Sequence, residues 1–249
     1  MEWVDEGYVL SAMKYGERDA IVTLLTKEHG RHKGLLKNGM TSKVRGGIQP
    51  GSRLHVHWKA RLEEHLGNWK VELLWSPLGG MYEAPLALKA LLAGCALCDS
   101  VLPEREPQPQ AFDKLQEFLS PVEGQDWGAA YLNLEVFMLD TLGFGLQLES
   151  CAVTGKQGEL PYISPNTGRA VSLEAGLPYA RKLLPNSPAL RPKQGSQAPQ
   201  EVVQAYGVTH HFLSQNVWQV GQRNQKSSKN QDVSPPARQR LLAALRKTL

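Results

Sequence analysis

Three kinds of residue in this 249-residue chain have the types and spacing for chemistry: its cysteines, its histidines and its clustered cations. Cys95-Ala-Leu-Cys98 has the CxxC spacing of metal sites and redox pairs. A structural metal needs about four ligands. No second CxxC or CxxH follows, and the surrounding run is strongly apolar, so the pair reads as two small buried hydrophobes. Cys151-Ala-Val-Thr154 has the first half of a zinc-knuckle outline, but Thr154 is a poor zinc ligand and no cysteine follows it. A knob with a zinc-like outline and no zinc is expected there. His210 and His211 are adjacent, which rarely lets both hold one ion. His55 and His57 fall on the wet face of a strand and read as solvent- or phosphate-facing. There is no GxSxG elbow, no HExxH and no GxxxxGK[ST] loop, and Gly143-Phe-Gly145 follows a helix and reads as its stop. The sequence therefore predicts no catalytic residue, no cofactor and no metal site, and a protein that is not an enzyme.

The cations are more informative. Residues 27–61 hold nine Lys/Arg against one acid, a net +8. Residues 62–150 hold four against fourteen, a net −10, and residues 151–249 hold thirteen against four, a net +9. Such a partition predicts modules with different partners. A basic face attracts phosphate polyanions through Coulomb steering and counterion release. Lys37, Lys43 and Arg45 lie in a segment with Gly39, Gly46 and Gly47 that has no periodicity, and it reads as a mobile cationic loop able to clamp a phosphate backbone. Trp58 and Trp69 could stack on bases, although their place on apolar strand faces favours core packing. The acidic middle suits protein contacts. The basic C-terminal part could add nucleic-acid contacts through Arg238, Arg240, Arg246 and Lys247, or cover a helical bundle with its Leu241, Leu242 and Leu245 stripe.

Elements must position these residues. Gly7–Met13, Ala20–Thr26, Arg31–Leu36, Ser52–Arg61 and Asn68–Trp75 read as short strands. In two of them the alternation is clean: Leu54, Val56 and Trp58 share one face, as do Trp69, Val71, Leu73 and Trp75. Five short strands in under 80 residues suit a small closed barrel of the oligonucleotide-binding (OB) type. From Tyr82 the texture is helical: Pro85–Leu102, Ala111–Leu119, an all-apolar Trp127–Leu142, then Leu173–Leu184, Pro199–Val220 and Pro235–Leu249. Residues 146–176 read as an irregular, turn-rich knob, and Gly221–Ser234 as a flexible polar segment. The predicted class is α+β, with a barrel domain at 1–78 and a helical domain at 79–249 interrupted by the knob. No run of eighteen apolar residues suggests a membrane span. The acidic start Met1–Asp5 carries no hydrophobic signal core, and three cysteines make no disulfide framework, so a cytoplasmic location is expected.

In order along the chain stand Gly7-Tyr-Val-Leu10, Tyr15-Gly-Glu-Arg-Asp19, Val22–Gly30, Gly34-Leu-Leu-Lys-Asn38, Gly47–Pro50 and Leu54. Further on come Glu135, Leu142-Gly-Phe-Gly145, Cys151-Ala-Val-Thr-Gly155, Ser164-Pro165 and Gly168. This ordered set resembles the bacterial recombination mediator RecO family over nearly the whole chain, weakening after about Pro185. The resemblance implies an OB barrel, a helical domain and a knob that binds zinc in some members. It implies DNA repair and recombination, binding of single- and double-stranded DNA, annealing of complementary strands, and a nucleoid-associated location. The implied partners are RecR, the acidic C-terminal tail of single-stranded-DNA-binding protein and, indirectly, the recombinase RecA, whose loading the family assists. Two departures stand out. Only Cys151 survives of a four-cysteine zinc pattern, and Asn133 replaces an Arg that many relatives carry two residues before the matched Glu135.

Together these features predict Lys33, Lys37, Lys43 and Arg45 as the first DNA-backbone contacts and Arg31, Lys59 and Arg61 as the second. An RNA- or ribosome-associated factor is the alternative for a basic barrel. A metal nuclease is the other, but it needs clustered carboxylates, and the basic segment has only Glu28.

Overall fold

The computed structural model describes residues 1–77, 84–120, 125–191, 198–219 and 232–247. The chain forms two compact units, Met1–Glu123 and Gly124–Leu249. The change from strand to helix falls within the first of them.

The first unit is built on five strands: β1 (Glu2–Tyr15), β2 (Asp19–Thr26), β3 (Gly30–Leu36), β4 (Arg53–Lys59) and β5 (Asn68–Trp75). They close a barrel in the order β1-β2-β3-β5-β4. A bulge between Val9 and Ser11 bends β1. Its first half pairs with β4, from Glu2 opposite Lys59 to Tyr8 opposite Arg53, and its second half with β2, ending at Tyr15 opposite Asp19. The parallel contact of Leu35 with Asn68 closes the ring. The alternating residues supply the driving force: Val9, Val22, Leu24, Leu54, Val56 and Trp58 point inward and are buried, each contributing roughly 1.5–3 kcal/mol.

β1 begins five residues before its apolar pattern does. Its early charges are paired: Glu6 with Arg53 at 2.5 Å, Glu2 with Lys59 and His57 at 2.7 Å each, and Asp5 with His29 at 2.9 Å. Trp58 and Trp69 are core residues, as favoured from their strand faces. Trp58 donates its indole N–H to the Leu66 carbonyl at 3.3 Å and Trp69 to that of Val22 at 3.1 Å. Glycine is required where the second indole crosses β3, because a methyl at Gly34 would meet Trp69 Nε1 at 2.5 Å.

A single helical turn, α1 (Ser42–Arg45), lies in the β3–β4 connection. Two longer helices complete this unit, α2 (Pro85–Val101) and α3 (Pro109–Leu119), each with proline in the first turn, where a missing N–H costs nothing. Asp99 of α2 accepts from Ser11 Oγ at 2.9 Å, and the Phe112 ring lies 5.2 Å from that of Tyr8.

The second unit contains α4 (Trp127–Thr141), α6 (Pro199–Leu213), continued by a π-helical turn at Ser214–Trp218, and α7 (Pro236–Leu245). Asp126 caps α4 by accepting from the Gly128 and Ala129 N–H groups. Tyr206 Oη donates to the Gly128 carbonyl at 2.6 Å, tying α6 to the start of α4. The knob is more regular than its composition suggests. Strands of two residues each, β6 (Tyr162–Ile163), β7 (Ala170–Val171) and β8 (Leu184–Pro185), form a sheet in the order β7-β6-β8. The helix expected over Leu173–Leu184 splits into α5 (Leu173–Gly176) and a 3₁₀ stretch, Leu177–Lys182, because Pro178 has no N–H for an α-helical bond. Most of the polar segment Gly221–Ser234 lies outside the described residues. Among the described residues no helix is long and apolar enough to cross a membrane.

Candidate nucleic-acid interface

The register assigns the basic residues to two ends of the barrel. β1, β3 and β5 run one way and β2 and β4 the other. One rim therefore carries the β1–β2 turn, the β3–β4 connection and the end of β5. Lys37, Lys43 and Arg45 belong to that rim. Lys59 and Arg61 lie at the opposite end, beside the start of β1, and Arg31 lies at the start of β3. A run that is continuous in sequence is thus divided in space.

Pairing divides the candidates again. Arg31 donates through Nε to the Leu102 carbonyl at 2.8 Å and through Nη1 to Asp99 at 3.2 Å. Lys33 sits 3.5 Å from Glu104, and Lys59 is paired with Glu2. Asp99 and Glu104, part of the acidic middle, serve here as partners for barrel cations in the same unit. Among the described residues Lys37, Lys43, Arg45 and Arg61 are exposed and have no acidic partner within ion-pair distance.

The β3–β4 connection, expected to be a mobile loop, is corrected by the structure to an ordered one. Asp19 accepts the Asn38 N–H at 2.8 Å, and Thr41 Oγ1 donates to the Asn38 carbonyl at 2.7 Å. The Met40 N–H donates to the Arg18 carbonyl at 2.8 Å. The turn α1 follows; Gln49 Nε2 bonds the Arg45 carbonyl at 2.7 Å, and Ile48 is only 1% exposed, plugging the barrel end. Val44 packs towards the core while Lys43 and Arg45 point to solvent. The cations stand on an anchored ledge, whose ordering cost is met by folding rather than by the ligand.

Two aromatics share this rim that the sequence did not assign to nucleic acid: Tyr15, and Trp75, which is expected on an apolar face with Trp69, Val71 and Leu73 but is exposed with Leu73 where the register shifts opposite Arg53 and Leu54. Tyr15 ends β1 and is 55% exposed; Trp75 ends β5 and is 40% exposed, with Leu73 and Leu74 also exposed beside it. A methyl at Gly47 would touch Leu73 at 3.7 Å, so the ledge adjoins the end of β5. The signal was present: an aromatic at the last position of a strand, opposite the first residue of its partner, Asp19 for Tyr15 and Arg53 for Trp75. Exposed aromatic faces beside unpaired cations are the two components of single-strand binding, stacking and phosphate neutralisation.

The other candidate chemistry is structural. Cys95 and Cys98 are fully buried in α2, and burial pushes both thiols up, Cys95 to about 12. His57 is engaged by Glu2. At Cys151 burial opposes the thiolate, but hydrogen bonds from Ser172 and Thr154 outweigh it and bring the thiol down to about 6. The Ser172 N–H reaches the sulfur at 3.3 Å. Among the described residues no group of three or more His, Cys, Asp or Glu is placed to hold a metal ion.

Of the C-terminal cations, Arg238 is 1% exposed and locked to the fully buried Glu135, with Nε–Oε1 at 2.6 Å and Nη2–Oε2 at 3.2 Å. Burial alone would lower its pKa; the Glu135 carboxylate reverses that, and the net shift is upward. Leu241 and Leu245 are buried. α7 therefore covers the bundle, the second of the two roles open from its sequence, and Arg240, Arg246 and Lys247 remain exposed.

A closed five-stranded barrel with a cationic, aromatic rim, followed by a helical unit, places the chain among OB-barrel proteins. Residues 1–76 match the family model described as Recombination protein O N terminal, and residues 83–224 match Recombination protein O C terminal. The chain is 43% identical over 220 residues to a protein named DNA repair protein RecO from Rhodospirillum centenum, covering 88% of each chain. It is 45% identical over 190 residues to the protein of that name from Rhodospirillum rubrum, covering 74% of this chain and 75% of the relative. With that of Caulobacter vibrioides it shares 41% over 219 residues, covering 88% and 90%. The chain belongs to the RecO family, a family of DNA repair and recombination proteins.

Proposed function

We propose that this chain is a non-enzymatic DNA-binding mediator that holds single- and double-stranded DNA on the barrel rim and anneals complementary strands. The observation that carries this reading is the anchored ledge. Lys37, Lys43 and Arg45 stand without acidic partners beside exposed Tyr15 and Trp75. Annealing needs no covalent chemistry. Neutralising phosphates lowers the repulsion between two strands, and base pairing supplies the rest. Within the rim, Lys37, Lys43 and Arg45 lead. Arg61, at the far end, and Lys33, Lys59 and Arg31, already engaged with carboxylates or a carbonyl, come second. Resemblance to the family supports the remaining assignments. Residues 1–78 serve as the DNA module and residues 79–249 as the module for protein partners: RecR, the acidic tail of single-stranded-DNA-binding protein and, indirectly, RecA. The site of action is the nucleoid.

A Lys37→Glu, Arg45→Glu double substitution tests the reading. Affinity for a labelled single strand should fall at least about ten-fold. The slope of log affinity against log salt should flatten by about 0.7 for each phosphate that is no longer neutralised. Unchanged affinity with an unchanged slope would remove the rim from the interface. Annealing of strands coated with single-stranded-DNA-binding protein, with a tailless coating protein as control, tests the mediator step. Incubation with Mg²⁺ should leave DNA intact, and tighter binding of structured RNA than of gapped DNA would favour an RNA-associated role.

A further inference from the structure

The knob contains an element that buries nothing. In the 3₁₀ stretch Leu177–Lys182 no residue is buried; Leu177 is 65% exposed and Tyr179 62%. Burial of either would stabilise the fold, and the fold leaves that contribution unused. The stretch is nevertheless held at both ends. At its start, Gly176 passes so close to the Tyr162 ring that a methyl there would meet it. At its end, β8 pairs with β6, Leu184 opposite Ile163 and Pro185 opposite Tyr162. The exposed side chains are thus presented on a fixed ridge.

Charge and spacing indicate what the ridge faces. Between Glu174 and Glu201 the sequence has no carboxylate side chain, and it has Arg181 and Lys182 on the ridge itself. Both are exposed, and among the described residues neither has an acidic partner within ion-pair distance. In a 3₁₀ helix residues three apart eclipse, about 6 Å apart along the axis at about 2 Å per residue. Tyr179 and Lys182 therefore line one edge, and Pro178 and Arg181 the next. A flat ring with a cation one turn away offers a base its face and the adjoining phosphate its countercharge. A base needs only a face, which the exposed Tyr179 ring offers without a pocket.

We propose that the ridge Leu177–Lys182 is a second single-stranded DNA contact, with Tyr179 stacking on a base and Lys182 and Arg181 meeting the backbone. This rests on the annealing role proposed above, and it assigns the second strand a place. The rim of the barrel holds one strand and the knob holds the other.

The test uses the full chain and an oligonucleotide carrying 5-iododeoxyuridine. Photocrosslinks should map to the rim and to Tyr179. A Tyr179→Ala, Lys182→Glu variant should keep its thermal midpoint and bind a single strand about ten-fold more weakly when combined with Lys37→Glu, Arg45→Glu than those rim changes alone. It should also anneal complementary strands more slowly. The inference fails if no adduct falls within residues 173–185 and the ridge variant leaves affinity, salt slope and annealing rate unchanged. It fails equally if the variant loses capture of a protein partner but no DNA affinity, which would reassign the ridge to protein recognition. If the unaltered chain binds no single strand at all, the rim reading fails with it. If rim variants lose binding and ridge variants do not, the ridge alone is refuted.

Discussion

Replacing Arg238 with alanine removes the cation from a site where its partner cannot reach water. Glu135 is fully buried, and Arg238 gives it Nε and Nη2 while also donating from Nη2 to the Tyr206 carbonyl at 3.3 Å. The guanidinium lies 5.5 Å from the Trp218 ring centroid and 5.9 Å from that of Tyr206. After truncation only Thr209 Oγ1, at 2.5 Å, is left bonded to the carboxylate among these groups. Stranding one member of a buried pair costs about 3–5 kcal/mol, a large part of the roughly 5–15 kcal/mol that stabilises a typical domain. Glu135→Leu alone should cost a similar amount, by stranding the cation instead. Glu135→Leu with Arg238→Met removes both charges at similar volume and should return to within about 1 kcal/mol of the parent, or exceed it. Urea unfolding followed by circular dichroism gives the three differences, and hydrogen exchange over α4 shows whether α7 alone releases. Single losses below about 1 kcal/mol, or a double variant as unstable as the sum of the singles, would refute the account of α7 as a helix held by a buried ion pair.

Other predictions concern the rim, the histidine beside that pair and the knob. Trp75→Ala should weaken single-strand binding about ten-fold, from the 1–3 kcal/mol of a base stack, with little change in stability. Trp58→Ala, in the core, should instead cost about 3–5 kcal/mol of stability, and the reverse pattern would exchange their roles. His210 is held below its ordinary pKa first by burial and then by Arg238, whose Nη1 lies 3.3 Å from Nδ1. The unfolded chain then binds the proton first, so stability should fall as pH drops below about 6.5, towards the depressed folded value. His210→Gln should flatten this loss, and an unchanged profile would assign it to other groups. Chelator treatment should leave the thermal midpoint unchanged. A chelator-sensitive midpoint would show a metal in the knob.

The barrel is legible where a strand is buried on one face only, as in β3, β4 and the start of β5, which writes a period of two into Leu54–Trp58 and Asn68–Val71. The first residues of β1 are not, because Glu2, Asp5 and Glu6 belong to a strand only through partners on β4 and in the β2–β3 turn. The β3–β4 ledge reads as mobile because one plug, Ile48, makes no period. Two-residue strands in the knob are likewise too short to show alternation. The candidate cations are legible by charge, but sequence proximity hides their separation: Lys37 and Lys59 belong to the same basic run and lie at opposite ends of the barrel. Arg238 carries no signal. An arginine on a helix reads as surface, and its partner is 103 residues away.

The rim also bears on how a strand would leave. On the proposed reading Tyr15 and Trp75 hold unpaired bases by their faces, while Lys37, Lys43 and Arg45 hold phosphates. Once two strands pair, their bases stack on one another and withdraw those faces, and only the salt-sensitive phosphate contacts remain. The product then lacks the stacking contacts that held the reactants, so on this reading its release needs neither nucleotide hydrolysis nor a change of protein shape. Formation of the duplex is itself the release step.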